Sequence, residues 1–175
     1  MTEKQEKILA AALDLFAKEG YKSTSTSKVA KLAGVSEGLI FRHFTNKEGL
    51  LEAILQQGEE QAKLLFADIV METDPREVIK KTLDLGVKMN ENPDAANFWK
   101  LQYKVKWEME IYGEHKMKAL FNALTTAFNK LGYDEPENEA NTLLIIIDGL
   151  ATRFYLQENF DLMSKVYFLK KKYNV

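Results

Sequence analysis

Residues 20–47 read GYKSTSTSKVAKLAGVSEGLIFRHFTNK and carry the most specific structural signal in the chain. Its first half predicts a short helix that begins after Ser/Thr caps and ends at Gly34, since four apolar residues lie at helical spacing: Val29, Ala30, Leu32 and Ala33. Ser36 can cap a second short helix, in which Ile40 and Phe44 lie one turn apart on one face. Two short helices joined by a turn that contains glycine are typical of the helix-turn-helix motif, whose second helix enters the major groove of DNA.

The charge of the chain is distributed unevenly. The 175 residues include 24 Lys and Arg and 26 Asp and Glu, a net charge of −2 that taken alone argues against a nucleic-acid binder. Within residues 20–47, however, Glu37 is the one acid beside five basic residues. A local basic patch attracts polyphosphate whatever the total charge of the chain. A solvated, lysine-rich helical face would give the same count, so charge alone leaves both interpretations open.

Helical spacing of apolar residues continues through almost the whole chain. A first helix is predicted from about residue 3 to residue 19, and Pro75, Pro93 and Pro136 each stand where a helix begins. No segment alternates between apolar and polar residues over a useful length. The sequence therefore predicts an all-α protein of eight or nine helices.

Two segments resemble a known family. Residues 30–44, AKLAGVSEGLIFRHF, followed by KEGLL at 47–51, resemble the DNA-binding domain of the TetR (tetracycline-repressor-like) family of bacterial transcriptional regulators. Residues 8–21, ILAAALDLFAKEGY, resemble the first helix of that domain. The resemblance covers residues 6–51. It implies an N-terminal three-helix helix-turn-helix DNA-binding domain at 1–47 and a larger helical ligand-binding and dimerisation domain at 48–175.

The resemblance also implies DNA-contacting roles for individual residues. Positions that commonly touch phosphates are occupied by Thr24 or Ser25, Ser36, His43 and Lys47. Positions on the groove-facing side of the recognition helix are occupied by Glu37, Gly38, Leu39, Phe41 and Arg42.

Three of these residues depart from the commonest family pattern. Glu37 stands where Lys, Arg or Pro is frequent; DNA phosphates repel it, but it could accept a hydrogen bond from a cytosine amine. Leu39 replaces a frequent Thr or Ala, and Phe41 replaces a frequent Tyr whose hydroxyl could bind phosphate. Leu39 and Phe41 could meet thymine methyl groups or pack against the first or fourth helix, and His43 could be a core or capping residue. The sequence leaves these alternatives open.

A stripe of aromatic residues marks the larger domain. Trp99, Tyr103 and Trp107 are spaced four residues apart and therefore share one face of a helix. Together with Phe98 and Phe121 they form a tentative ligand pocket, because aromatic walls with polar tips suit an apolar or aromatic small molecule. Such a stripe is also common in an ordinary core.

The last two long helices carry more apolar residues than one face can hold. A helix that is apolar all round is either central in a core or covered by a partner. The resemblance implies that these helices pair with those of a second copy over about residues 139–172. The tentative dimer interface consists of Leu143, Ile146, Ile147, Leu150, Phe154, Leu162, Val166 and Leu169. A buried helix in a monomer is the alternative.

Signs of catalysis are few. The chain has two histidines, no cysteine, no nucleophile elbow and no glycine-rich phosphate loop. The nearest approach to a catalytic cluster is Glu110 and Glu114 beside His115, which is more typical of a solvated face. We therefore expect no enzyme activity, no cofactor and no bound metal. No run approaches the roughly 18 apolar residues of a membrane span, so we expect a cytoplasmic protein with no membrane partner.

These observations favour a DNA-binding transcriptional regulator. The resemblance implies a homodimeric repressor that a small-molecule effector releases from a pseudo-palindromic operator of double-stranded DNA. The alternative is a helical interaction module with weakened or lost DNA binding, suggested by Glu37, Leu39 and Phe41.

Overall fold

The computed structural model describes residues 1–91, 93–110 and 114–175, without the side chains of residues 61, 62, 94 and 114–116. Over this part of the chain it has nine helices and no strand, which confirms the predicted all-α class. The helices are α1 (Glu3–Glu19), α2 (Thr26–Ala33), α3 (Glu37–Phe44), α4 (Lys47–Val70), α5 (Pro75–Lys88), α6 (Pro93–Glu108), α7 (Glu114–Lys130), α8 (Pro136–Leu156) and α9 (Leu162–Tyr173).

Local sequence signals set several helix ends. At the start of α1, the Thr2 hydroxyl accepts a hydrogen bond from the Gln5 amide, while the Gln5 side chain accepts one from the Thr2 amide. α2 ends at Gly34, whose φ of +67° is left-handed and costs glycine no steric energy. Asp74 caps α5 by accepting a hydrogen bond from the Arg76 amide at 2.8 Å. Because these contacts join residues close in sequence, the helix positions could be predicted from the sequence.

The first of two compact units comprises residues 1–61 and 91–112. α6 belongs to this unit because Leu101 and Val105 bury their side chains in the same apolar cluster as α1. A fully buried large apolar side chain contributes roughly 1.5–3 kcal/mol. Those with no exposed surface in this cluster are Ile8, Phe16, Val29, Ile40, Leu50 and Leu101.

This unit is larger than the predicted DNA-binding domain of residues 1–47. The first part of α4 joins it because Leu50, Leu51 and Ile54 complete its core. α6 joins it from beyond residues 62–90, which belong to the second unit. The assignment of DNA binding to residues 1–47, and of ligand binding and dimerisation to residues 48–175, concerns function and stays a prediction.

The second compact unit comprises residues 62–90 and 113–175. Its core draws on α5, α7, α8 and α9, and Phe128 lies within it without any exposed surface. The Phe128 ring meets Tyr133 edge-to-face at a centroid distance of 5.0 Å and Tyr173 at 5.6 Å. The aromatic cluster therefore joins the end of α7 to the end of α9.

Candidate nucleic-acid interface

The helix-turn-helix is held together by a few apolar anchors and one glycine. Ile40 of α3 is completely buried, and Val35 in the turn packs half-buried against the same core. Gly34 closes α2, and the Val35 amide donates to the Ala30 carbonyl at 3.0 Å. These contacts fix which side of α3 faces the core. The opposite side is left open to solvent.

The open side of α3 carries much of the predicted groove-facing set. Gly38, Phe41 and Arg42 are exposed, and 45% of Phe41 is accessible to solvent. Leu39 is half-buried and packs against the core of the first unit. The structure thus separates the two residues whose roles the sequence left open: Leu39 takes part in packing, whereas Phe41 points outward.

The predicted phosphate contacts differ in their accessibility. Thr24 is only 1% exposed, and its hydroxyl donates to the Gly20 carbonyl at 2.8 Å. Ser25 is exposed and caps α2 by accepting from the Lys28 amide at 3.2 Å. Ser36 is exposed at the start of α3, where its side chain makes no capping hydrogen bond. Ser25 and Ser36 are therefore open to a phosphate, whereas the Thr24 hydroxyl holds the α1–α2 turn.

Lys47 is held by an aromatic residue that the sequence analysis did not select. Its Nζ lies 4.3 Å from the centroid of the Tyr21 ring and 3.4 Å from the Lys22 carbonyl oxygen. Burial, and then the nearby Glu48 carboxylate, raises the pKa of Tyr21 to about 12, so the phenol stays neutral beneath the ammonium at physiological pH. No local spacing pairs residues 21 and 47, which meet only after α1 and α4 have packed.

His43 is half-buried at the end of α3. Its ring meets that of Phe44 edge-to-face at a centroid distance of 6.2 Å. The side chain is neither enclosed in the core nor fully open, so a phosphate contact from it stays a prediction.

The single acid of the basic stretch has a specific partner. The Thr26 hydroxyl, at the start of α2, donates to Glu37 Oε1 at 2.6 Å, and both residues are half-buried. Sequence analysis missed Thr26, because the pairing spans 11 residues and the turn between two helices. Lys28, a basic residue of the same stretch, forms an ion pair with Glu19 at 2.6 Å.

α6 fastens the end of α1 and the following turn through polar side chains. Lys104 Nζ donates to the Lys18 carbonyl at 2.7 Å, and Glu108 accepts from the Lys22 amide at 3.0 Å. Burial, followed by repulsion from Lys100, lowers the pKa of Lys104. The turn itself needs glycine at position 20, where φ is +97° and a Cβ atom would lie 2.7 Å from Glu108 Oε1.

Comparison with known proteins assigns the helix-turn-helix segment. Residues 8–54 match the family model of bacterial regulatory proteins, tetR family. Over these residues the chain is similar to the TetR family. This confirms the resemblance found in the sequence, over nearly the same residues.

Relatives match the chain mainly through the same segment. Over 57 residues it is 49% identical to the uncharacterized HTH-type transcriptional regulator YvkB of Bacillus subtilis (strain 168), which covers 33% of this chain and 30% of that protein. Over 78 residues it is 38% identical to the HTH-type transcriptional repressor Rv3405c of Mycobacterium tuberculosis (strain ATCC 25618 / H37Rv), covering 44% of this chain and 39% of that protein. The matches thus span little more than a third of these relatives at most. Family and relatives are transcriptional regulators rather than enzymes.

The fold of the chain resembles solved structures over nearly its whole length. One is a protein from Saccharomonospora viridis in complex with choline, which aligns with a TM-score of 0.78 and 19% identity over 98% of this chain and 95% of that chain. At this identity the likeness shows the fold alone.

The residues of the tentative ligand pocket do not share one environment. Phe98 is buried, meets Trp99 edge-to-face at 5.1 Å, and lies so close to Gly58 that a Cβ there would overlap its ring. Trp99 and Tyr103 are half-buried, whereas Trp107 is 73% exposed. Phe121 lies in the second unit. Phe98 therefore serves as core, and the pocket stays a prediction.

Half of the tentative dimer interface lies inside the second unit's own core. Leu143, Leu162, Val166 and Leu169 are buried, and Ile146, Ile147, Leu150 and Phe154 pack half-buried against the same cluster. The core that buries these four also includes residues of α5 and α7. Pairing of this set with a second copy stays a prediction. Large apolar side chains that do lie open on α8 and α9 are Ile145, Leu156, Met163, Tyr167 and Phe168.

Two further features complete the description. Among the side chains that the structure describes, no three His, Cys, Asp or Glu residues come together as metal ligands would. The side chains of Glu114 and His115 lie outside the described residues. None of the helices, as far as they are described, has the length and apolar character needed to cross a membrane.

Proposed function

We propose that this chain is a transcriptional regulator that binds double-stranded DNA through α2 and α3. The observation that carries the proposal is the open side of α3 within a TetR-family domain, where Arg42 and Phe41 point outward and the exposed Ser36 begins the helix. N-terminal residues of a recognition helix meet base edges, while hydroxyl and basic side chains bind phosphates. Lys47, held over Tyr21, supplies a positioned cation beside this face.

The regulator acts as a homodimer in this proposal. Met163, Tyr167 and Phe168 lie on the side of α9 turned away from its core and are each more than 60% exposed. A cluster of large apolar side chains in water is typical of an interaction surface. A second copy related by a two-fold axis would cover both sets at once. Two recognition helices would then read half-sites about 34–36 Å apart on a pseudo-palindrome.

A small-molecule effector releases the dimer from its operator. One support is the pair of half-buried aromatic residues Trp99 and Tyr103 on α6. Another is that the Saccharomonospora viridis protein of similar fold was solved in complex with choline. An effector shifts the equilibrium between DNA-bound and free arrangements only by its difference in affinity for the two. We infer an effector of apolar or aromatic character, and repression as the mode of action, in line with a relative that is named a repressor. Such a regulator works in the cytoplasm, where bacterial DNA lies.

An electrophoretic mobility shift assay on the DNA upstream of the protein's own gene tests DNA binding. The wild-type protein should bind, and the affinity should fall steeply with salt because counterions are released from the phosphates. Arg42→Ala and Lys47→Ala should each weaken the complex. Lys118→Ala, at an exposed position on α7, is the matched control and should bind as the wild type does. No complex at low salt, or no effect of either substitution, would refute the proposal.

The alternative function is a helical interaction module that no longer binds DNA. The exposed aromatic ring of Phe41 and the acid at the first position of α3 favour it. The same assay separates the two functions, since an interaction module shows no salt-dependent complex with duplex DNA.

A further inference from the structure

The first residues of α2 and α3 are joined by one short hydrogen bond. Thr26 is the first residue of α2 and Glu37 the first residue of α3, and the Thr26 hydroxyl donates to Glu37 Oε1 at 2.6 Å. Both side chains are half-buried, and each residue directly follows an exposed serine in the sequence, Ser25 before Thr26 and Ser36 before Glu37. The pair therefore sits at the edge of the surface proposed to face DNA.

The surroundings of Glu37 favour an oriented carboxylate. Two helix N-termini, with their partial positive charge, meet beside Glu37. The hydrogen bond from Thr26 fixes the carboxylate in the free protein. The entropy cost of ordering this side chain is therefore incurred on folding rather than on DNA binding. A carboxylate oxygen accepts more than one hydrogen bond, so the bond from Thr26 leaves acceptor capacity on Glu37.

Base chemistry then limits what such a group can read. In the major groove cytosine presents only an amine donor, whereas guanine presents two acceptors and adenine places an acceptor beside its donor. A carboxylate carries acceptors alone, so it matches cytosine and is repelled by the guanine and adenine acceptors. Guanine and thymine offer it no donor on these edges.

We infer that Thr26 and Glu37 act as a unit that selects cytosine at one position of each operator half-site. This inference rests on the proposed DNA binding. Glu37 is the residue that touches the base, and Thr26 is a positioning residue that fixes the carboxylate. Glu37, an acid in an otherwise basic surface, thus lowers the affinity for phosphates in general. In exchange, the protein distinguishes cytosine from other bases at one base pair.

The test uses the full-length protein and a library of random duplexes. Bound sequences are selected with the wild type, and dissociation constants are then measured for the selected site and for sites in which each half-site position is changed. The wild type should prefer cytosine at one symmetric position by roughly 10- to 100-fold over adenine. Glu37→Gln should remove or reverse that preference, because glutamine both donates and accepts and pairs well with adenine.

Substitutions at Thr26 test the positioning role. Thr26→Val removes the hydroxyl at nearly constant size and should reduce the cytosine preference severalfold at the same position only. Thr26→Ser keeps the donor and should retain the preference within about twofold. Circular dichroism and thermal unfolding check that each variant folds, since a purely structural role for the pair would lower stability and weaken all sequences alike.

The outcomes separate the inference from the function on which it rests. An unchanged sequence profile for Glu37→Gln, or an equal loss at every position, would overturn the inference while DNA binding stands. A wild type that binds no duplex at low salt would overturn the proposed function, and the inference with it. A change confined to one base position, with the same salt dependence on random duplex for Thr26→Val as for the wild type, supports the inference.

Discussion

The outer faces of α3 and α9 differ in chemistry, although each helix packs one apolar side against its own unit. α3 exposes Phe41 and Arg42, and α9 exposes Met163, Tyr167 and Phe168. On α3, the Glu37 carboxylate is held by a hydrogen bond from the Thr26 hydroxyl. A face of fixed polar groups suits a polyanion that is read by hydrogen bonds, whereas a face of open apolar groups suits a protein surface that excludes water.

Burial within the second unit gives the largest expected effect. Phe128→Ala should lower the free energy of unfolding by roughly 3–5 kcal/mol, because the ring is completely buried and its loss leaves a cavity. Phe168→Ala, at a side chain 62% exposed, should lower it by less than about 0.5 kcal/mol at concentrations where the protein is monomeric. Urea denaturation at low protein concentration measures both. Equal effects would mean that the α9 face is not free within the protomer.

The same α9 face should decide the oligomeric state. The double substitution Tyr167→Asp and Phe168→Asp places two charges where a second copy is proposed to bind. The dissociation constant of the dimer should therefore rise at least tenfold, and each factor of ten corresponds to roughly 1.4 kcal/mol. Sedimentation velocity over a concentration series measures the change. Asn122→Asp, at an exposed position on α7, is the control and should stay dimeric. A wild type that remains monomeric throughout would contradict the proposed assembly.

On the side of the first unit that is proposed to bind DNA, the contact between Tyr21 and Lys47 should make a smaller contribution, in this case to DNA affinity. Tyr21→Leu removes the ring beneath Lys47 Nζ and should weaken DNA binding by roughly two- to fivefold, the scale of a cation–π contact of about 0.5–1 kcal/mol. Fluorescence anisotropy with a labelled duplex measures the affinity. Tyr21→Phe keeps the ring and should bind as the wild type does.

A double-substitution cycle shows whether Tyr21 acts through Lys47. In a Lys47→Ala background, Tyr21→Leu should have no further effect on DNA affinity, because the cation that the ring holds is gone. Additive losses would mean instead that Tyr21 matters only for the stability of the core, and urea denaturation of each variant would then show a matching decrease.

The smallest effect is expected at a polar contact of the second unit. The ammonium of Lys81, 2.9 Å away, and then the amides of Asp74 and Thr73 lower the pKa of Glu72 from 4.5 to about 2. A lowered folded-state pKa means that the contact stabilises fully above about pH 4.5 and that this stabilisation is lost as the pH falls through about 2. Glu72→Gln should therefore show a weaker dependence of the urea midpoint on pH between 4.5 and 2 than the wild type. Parallel pH profiles would contradict the assigned pKa.

Much of the helix-turn-helix could be predicted because its signals are local. The spacing of apolar residues predicts α2 and α3, and Gly34 predicts the turn between them. Ile40 indicates which side of α3 is buried. The contacts of Lys47 with Tyr21 could not be predicted, because they join residues 26 apart through the packing of α1 and α4. Thr24 shows the same limit: the sequence makes it a polar residue in a basic turn, and only burial shows that its hydroxyl is already used.

For the second unit the sequence determined less. It established that α8 and α9 carry apolar residues on several sides, but not which of these face the unit's own core. Hydrophobic burial is not directional. Leu162 and Met163 are adjacent apolar residues, so the sequence does not say which of the two packs in the core. The structure buries the first and exposes the second.

The helix class, the helix-turn-helix and the resemblance to the TetR family follow from the sequence, since caps, turns and apolar periodicity act over a few residues. Only the packed structure shows that α6 completes the first unit, that Thr26 fixes Glu37, and that Met163, Tyr167 and Phe168 lie exposed on α9. The physical reason is the range of the contacts. Helices and turns form from neighbours along the chain, whereas the placement of a side chain in a core, a pair or an interface depends on residues that the fold brings together from far apart.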